Sequence, residues 1–103
     1  MIIDCHGHYT TAPKALEDWR DRQLAGIVDP NRRQLHSHPQ ISDDEIRETI
    51  ENGQLKIQKA RGSDLTLFSP RAAGMAHHVG NDVSGQSWAK VCNDLIHRVC
   101  ELY

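Results

Sequence analysis

No stretch of the chain approaches the run of about 20 apolar residues that a membrane-spanning helix requires, so no membrane partner is expected. Neither sign of charge dominates: 12 Lys and Arg stand against 14 Asp and Glu, a formal net charge of −2. That balance argues against nucleic acid or an anionic membrane surface as a partner. Cysteine is scarce, at three residues, with no C-x-x-C spacing. An odd, unclustered set of thiols speaks for reduced cysteines in a cytoplasmic protein over a disulfide framework. The first residues carry neither a basic segment nor a long apolar one, so no secretory leader is expected. Glycine-rich phosphate loops are lacking too, which leaves no case for a nucleotide cofactor. There is no internal repeat and no low-complexity tract. What is present is ordinary for a soluble globular protein: 103 residues, 38% hydrophobic and 25% charged, enough for one domain with a modest core.

The chain opens MIIDCHGHYT. Met1 to Cys5 reads as a short buried strand, in which Asp4 needs a partner or a metal-ligand role because an unpaired buried carboxylate is costly. A helix is expected over Ala15 to Ala25, entered at Pro13, stopped at Gly26, with Leu16, Trp19 and Leu24 as its apolar positions. Ile27 to Gln40 reads as a loop. Ser42-Asp-Asp-Glu45 has the form of a capping box, and the helix behind it carries Ile46, Ile50, Ile57 and Ala60, weakened at Asn52-Gly53 and ended by Arg61-Gly62. Asp64 to Phe68 is a second strand. Arg71 to Gly85 reads as a loop, and Gln86 to Leu102 as a helix with Trp88, Val91, Leu95, Val99 and Leu102 at helical spacing. Two strands separated by helices imply a right-handed parallel crossover.

Side chains alternate along an extended segment, so His6 and His8 point the same way, just beyond the strand. Two imidazoles so placed can grip one ion, and Gly7 between them lets a neighbouring backbone come close. Imidazole suits zinc, iron, nickel or copper, zinc being the commonest. The plainer alternative is a pair of loop histidines.

Hydrophobic-Asp-x-His-x-His, here Asp4, His6 and His8, resembles the opening of the amidohydrolase superfamily. Within it, MIIDCHGHYTTAPKALEDWRDRQL, ISDDEIRETIENGQLKIQKARGSDLTLFSPRA and MAHHVG resemble the 4-oxalomesaconate hydratase family of protocatechuate 4,5-cleavage. The resemblance implies an α/β fold of amidohydrolase type, the N-terminal part of a (β/α)8 TIM-like barrel, with about two strands and flanking helices. It implies Zn2+, or another divalent metal, held by His6 and His8, and hydration of a small polycarboxylate to 4-carboxy-4-hydroxy-2-oxoadipate. A whole barrel takes about 250 residues. Residues 1–103 are therefore expected to form a single incomplete domain, inactive alone, whose parent is a cytoplasmic homo-oligomer. A helix ending in CELY without a Gly or Pro stop suits a cut chain. The alternatives are a metal-dependent non-oxidative decarboxylase of the same superfamily and a non-catalytic truncated metal-binding module.

A substrate with several carboxylates calls for cationic clamps. Arg71, directly after the second strand, is the candidate, able to hold a carboxylate bidentately, with Ser69 adding one hydrogen bond. The competing reading pairs Arg71 with a surface carboxylate. His78, and less so His77, are candidates for the proton carrier, against a reading as solvated loop residues. His36 and His38 repeat the H-x-H spacing without a strand before them and are excluded from the site, and His97 reads as a surface residue. Trp19 and Trp88 are expected to pack on the sheet, Cys92 and Cys100 to fill the core, and Cys5 to lie under a helix on the barrel exterior.

Overall fold

The computed structural model describes residues 1–29, 31, 37–71 and 78–103. Its elements run β1 (Ile3–His8), α1 (Lys14–Val28), α2 (Asp43–Asn52), α3 (Gln54–Arg61), β2 (Leu65–Ser69) and α4 (Asp82–Leu102). The strands pair in parallel, as the intervening helices require, with Ile3 opposite Leu65, Asp4 opposite Thr66, Gly7 opposite Phe68 and His8 opposite Ser69. Between Asp4 and Gly7 the register slips by one residue in β1, the count of a β-bulge.

Helix ends follow local chemistry. Ser42 accepts the Glu45 amide while the Glu45 carboxylate takes the Ser42 amide at 2.8 Å, completing the expected capping box of α2. Gly62 closes α3 in the left-handed conformation at φ 68°, which glycine adopts without a side-chain penalty. Several boundaries differ from the sequence reading. Strand β1 runs Ile3–His8 rather than Met1 to Cys5, so His6 and His8 lie within it and not beyond it. Helix α1 passes through Gly26, which is buried within it, so the predicted loop at Ile27 begins two residues later. Helix α4 starts at Asp82, four residues early, because Asn81 and Ser84 form a second capping box. Strand β2 ends at Ser69 rather than Phe68.

Gly53 separates α2 from α3 outright, with φ −106° and ψ −99°. The break resets the helical phase. Ile46 and Ile50 are buried ahead of it, whereas Ile57 and Ala60 beyond it are exposed, against expectation.

The core lies among the helices. Leu16 and Trp19 of α1, Ile46 and Ile50 of α2, and Trp88, Val91, Cys92, Leu95 and Val99 of α4 form it, joined by Tyr9 and Ile41. Trp19 and Trp88 stack on one another at 6.3 Å between ring centroids, 13° apart, rather than on the sheet. The Arg20 guanidinium sits 4.9 Å over the Trp88 ring, a cation–π contact. Cys92 is buried but Cys100 is exposed. Eight residues advance a helix about 80° beyond two whole turns, enough to carry Cys100 off the buried stripe.

Strand β1 is not buried. Ile2 just ahead of β1, Ile3 within it, and Leu65 and Leu67 of β2 are each about half exposed, and Cys5 is exposed. Among the described residues no further strand pairs with either edge of the two-stranded sheet. No described helix is long and apolar enough to cross a membrane.

Candidate metal centre

The contacts around the His6–His8 pair come from the ends of the two strands, from α2 and from the start of α3. The bulge removes the His6 amide from the regular ladder, and the Asp4 carboxylate accepts it at 3.0 Å. That answers what Asp4 does: it stabilises the turn of backbone that aims His6. Gly7 is buried, and a Cβ there would lie 2.4 Å from Thr66 Cγ2 and 3.1 Å from the Leu67 carbonyl. Only glycine lets β2 approach this closely between the two histidines.

His8 is fixed from both sides. Its carbonyl accepts the Gln54 side-chain amide, and the next amide, of Tyr9, donates to the Ser69 carbonyl at 3.0 Å. Tyr9 then anchors the strand end. Its ring is buried against Phe68 at 5.4 Å, and its hydroxyl lies 2.6 Å from Thr49 Oγ1 on α2. Burial of the phenol raises the Tyr9 pKa, partly offset by the Thr49 contact. The sequence reading missed Gln54 and Tyr9. The apolar-and-polar character of Tyr9 directly after the pair was a usable signal; Gln54 offered none, because it reaches His8 only through the break at Gly53.

The two imidazoles come together as their spacing predicts, with ring centroids 4.8 Å apart and planes at 76°. Two imidazoles sharing one tetrahedral zinc at ordinary Zn–N distances have centroids roughly 5 Å apart, so the pair fits a common ion. Among the described residues no group of three or more His, Cys, Asp or Glu converges on such a point. The donor set seen here is two imidazoles, fewer than the three protein ligands of a catalytic zinc.

Ser69 and Arg71 sit where β2 ends. The Ser69 hydroxyl donates to the Gly7 carbonyl at 2.7 Å and lies 2.7 Å from His8 Nδ1, so it faces the histidine pair. The His8 Nδ1 also lies 3.3 Å from the Pro70 carbonyl. Arg71 is half-buried, with Nη1 3.5 Å from the Glu17 carboxylate of α1. His78 is exposed in the turn ahead of α4. His38 is exposed, and His97 is a surface residue 3.6 Å from Glu101. His36 and His77 lie outside the described residues.

A family model described as amidohydrolase matches residues 3–103. Over 103 residues the chain is 53% identical to a 2-keto-4-carboxy-3-hexenedioate hydratase from Sphingobium sp., covering all of this chain and 30% of that protein. The crystal structure of 4-oxalomesaconate hydratase from Rhodopseudomonas palustris matches with a TM-score of 0.88 at 55% identity, covering 99% of this chain and 30% of that one. The chain thus spans about 30% of the length of each of these relatives.

Proposed function

The chain belongs to the amidohydrolase family, and from that premise we propose that it supplies half of the metal site of a hydro-lyase that adds water to 4-oxalomesaconate. Its two strands and flanking helices are part of an amidohydrolase-type (β/α)8 barrel. Residues outside these 103 complete that barrel, cover the open sheet edges and provide the remaining metal ligands. The observation that carries this reading is the His6–His8 pair, edge to face at 4.8 Å at the C-terminal end of β1, in a chain more than half identical to two hydratases. The C-terminal ends of barrel strands are where this fold builds its active sites.

Zinc is the ion we assign to the pair, and the chemistry it supplies when bound is Lewis acidity and a water nucleophile near neutral pH. The chain's own groups do the rest. His6 and His8 present neutral nitrogen donors from one side of β1. Arg71 receives a substrate carboxylate. Its pairing with Glu17 at 3.5 Å involves a partner with 56% exposed side chain, and so open an ion pair is weak enough to exchange. A bidentate grip on a carboxylate is the stronger contact. His78, exposed ahead of α4, is the group proposed to move a proton to the substrate carbon. The setting is a cytoplasmic homo-oligomer acting on a small polycarboxylate.

The test is product analysis on the full gene product that carries this chain. With 4-oxalomesaconate, the reading expects a product heavier by one water with every carboxylate retained. Release of carbon dioxide instead would assign the site to a decarboxylase of the same family, and an unchanged substrate would leave a metal-binding module without catalysis.

A further inference from the structure

We propose that Ser69 is a positioning residue that selects which nitrogen of His8 faces the metal. The inference rests on the metal reading above and concerns the ring's tautomer. A serine hydroxyl has one proton, and we assign that of Ser69 to the Gly7 carbonyl at 2.7 Å, a group that can only accept. The 2.7 Å contact between Ser69 Oγ and His8 Nδ1 therefore needs its proton from the ring. The second neighbour of the same nitrogen, the Pro70 carbonyl at 3.3 Å, is also an obligate acceptor. Two independent acceptors thus hold the proton on Nδ1.

A neutral imidazole protonated at Nδ1 keeps its lone pair on Nε2. The ring is held by Ser69 Oγ and the Pro70 carbonyl at the end of β2, and cannot turn without losing both acceptors. Metal-bound histidines are commonly oriented in this way by a partner on the far nitrogen, and removing such a partner typically weakens metal binding about 10–100-fold. Ser69 is thereby spent on His8 and on the strand pairing, which moves it from the substrate contact expected of it to the support of a ligand.

The experiment uses the full gene product, labelled with 15N-histidine and freed of metal, with the His8 signals identified by their loss in His8→Asn. Long-range proton–nitrogen correlation is expected to show His8 as the Nδ1–H tautomer in the wild type. Ser69→Ala is expected to lose that preference and to bind zinc about 10–100-fold more weakly in competition with a chelator. Ser69→Thr, which keeps the hydroxyl, is expected to restore both, so a folding defect in the alanine variant cannot imitate the result. An Nε2–H tautomer in the wild type overturns the proposal, as does a Ser69→Ala protein with unchanged tautomer and unchanged zinc affinity. Zinc binding that is lost in His8→Asn but indifferent to Ser69 refutes the positioning role and leaves the metal reading standing. No zinc uptake by the wild type overturns both.

Discussion

Replacing Gly7 by alanine probes the whole construction at its tightest point. The added Cβ lies 2.4 Å from Thr66 Cγ2, 3.1 Å from the Leu67 carbonyl and 3.3 Å from Phe68 Cδ2, where ordinary contact begins at 3.4 Å. Relief therefore requires a movement of about 1 Å at Thr66 and a smaller one of the β2 backbone. Thr66 is β-branched and stiff at χ1, and its hydroxyl donates to Gln58 at 3.4 Å, so it has little freedom to turn away. Overpacking of this kind typically costs about 1–3 kcal/mol. In a domain of this size that lowers Tm by roughly 4 °C or more. The strands must also part between His6 and His8, so zinc affinity falls along with stability. Thermal unfolding of the metal-free full gene product, followed by chelator competition for zinc, reads both effects. Gly85→Ala is the control: it lies inside α4 with nothing within 4 Å of the new Cβ, and should gain about 0.5–1 kcal/mol from helix propensity. A Gly7→Ala protein that matches the wild type in both stability and zinc affinity would refute the reasoning.

Other outcomes follow from single contacts. Burial lifts the Cys92 thiol to about 11 from an ordinary 9.0, so the folded state favours its neutral form. Stability from this source is complete below pH 9 and is lost as pH rises toward 11, on the order of 2 kcal/mol; the alkaline slope of wild-type unfolding should exceed that of Cys92→Ala. For the same reason a thiol reagent under native conditions should label Cys5 and Cys100, both exposed, and spare Cys92. Ser42→Ala removes the α2 cap and should cost about 1 kcal/mol in urea unfolding. The Glu45 pKa is held down by its hydrogen bond from the Ser42 backbone, and the Asp43 pKa by the Arg98 side chain. The stability these carboxylates contribute is present above their unfolded values and is lost as pH falls through the folded ones. The Ser42 hydroxyl also donates to the Glu45 carboxylate, at 2.9 Å, so Ser42→Ala should flatten only the Glu45 part of the acid limb, leaving the backbone contact and the Asp43–Arg98 pair in place. Arg71→Lys should raise KM for the polycarboxylate more than it lowers kcat, because a point charge cannot replace a bidentate grip; an unchanged KM would remove Arg71 from the substrate.

The local geometry was legible where it depends on period and spacing. Alternation alone placed His6 and His8 on one side of a strand, glycine between them implied close backbone approach, and helices between two strands implied parallel pairing. The capping box at Ser42 and the stop at Gly62 were legible because each is a few adjacent residues with one geometric solution. What escaped depends on contacts across the chain. Asp4 reads as an unpaired carboxylate until the bulge hands it the His6 amide. The contacts of Ser69 with Gly7 and His8 appear only when β2 is set in register beside β1. Trp19 and Trp88 occupy the core-facing stripes the periodicity predicts, but which surface a stripe meets is decided by how α1 and α4 pack, and they meet each other. Asn81 was passed over as loop because its cap partner is Ser84 rather than the Glu or Gln of the usual pattern. Glu17 as the partner of Arg71 was foreseen only as a class of residue.

Metal analysis of the purified full gene product, in wild-type, His6→Asn and His8→Asn forms, tests the central claim most directly. The account predicts stoichiometric zinc in the wild type, its loss from both variants, and loss of 4-oxalomesaconate hydration in step. Full zinc occupancy and undiminished hydration in either variant would contradict it.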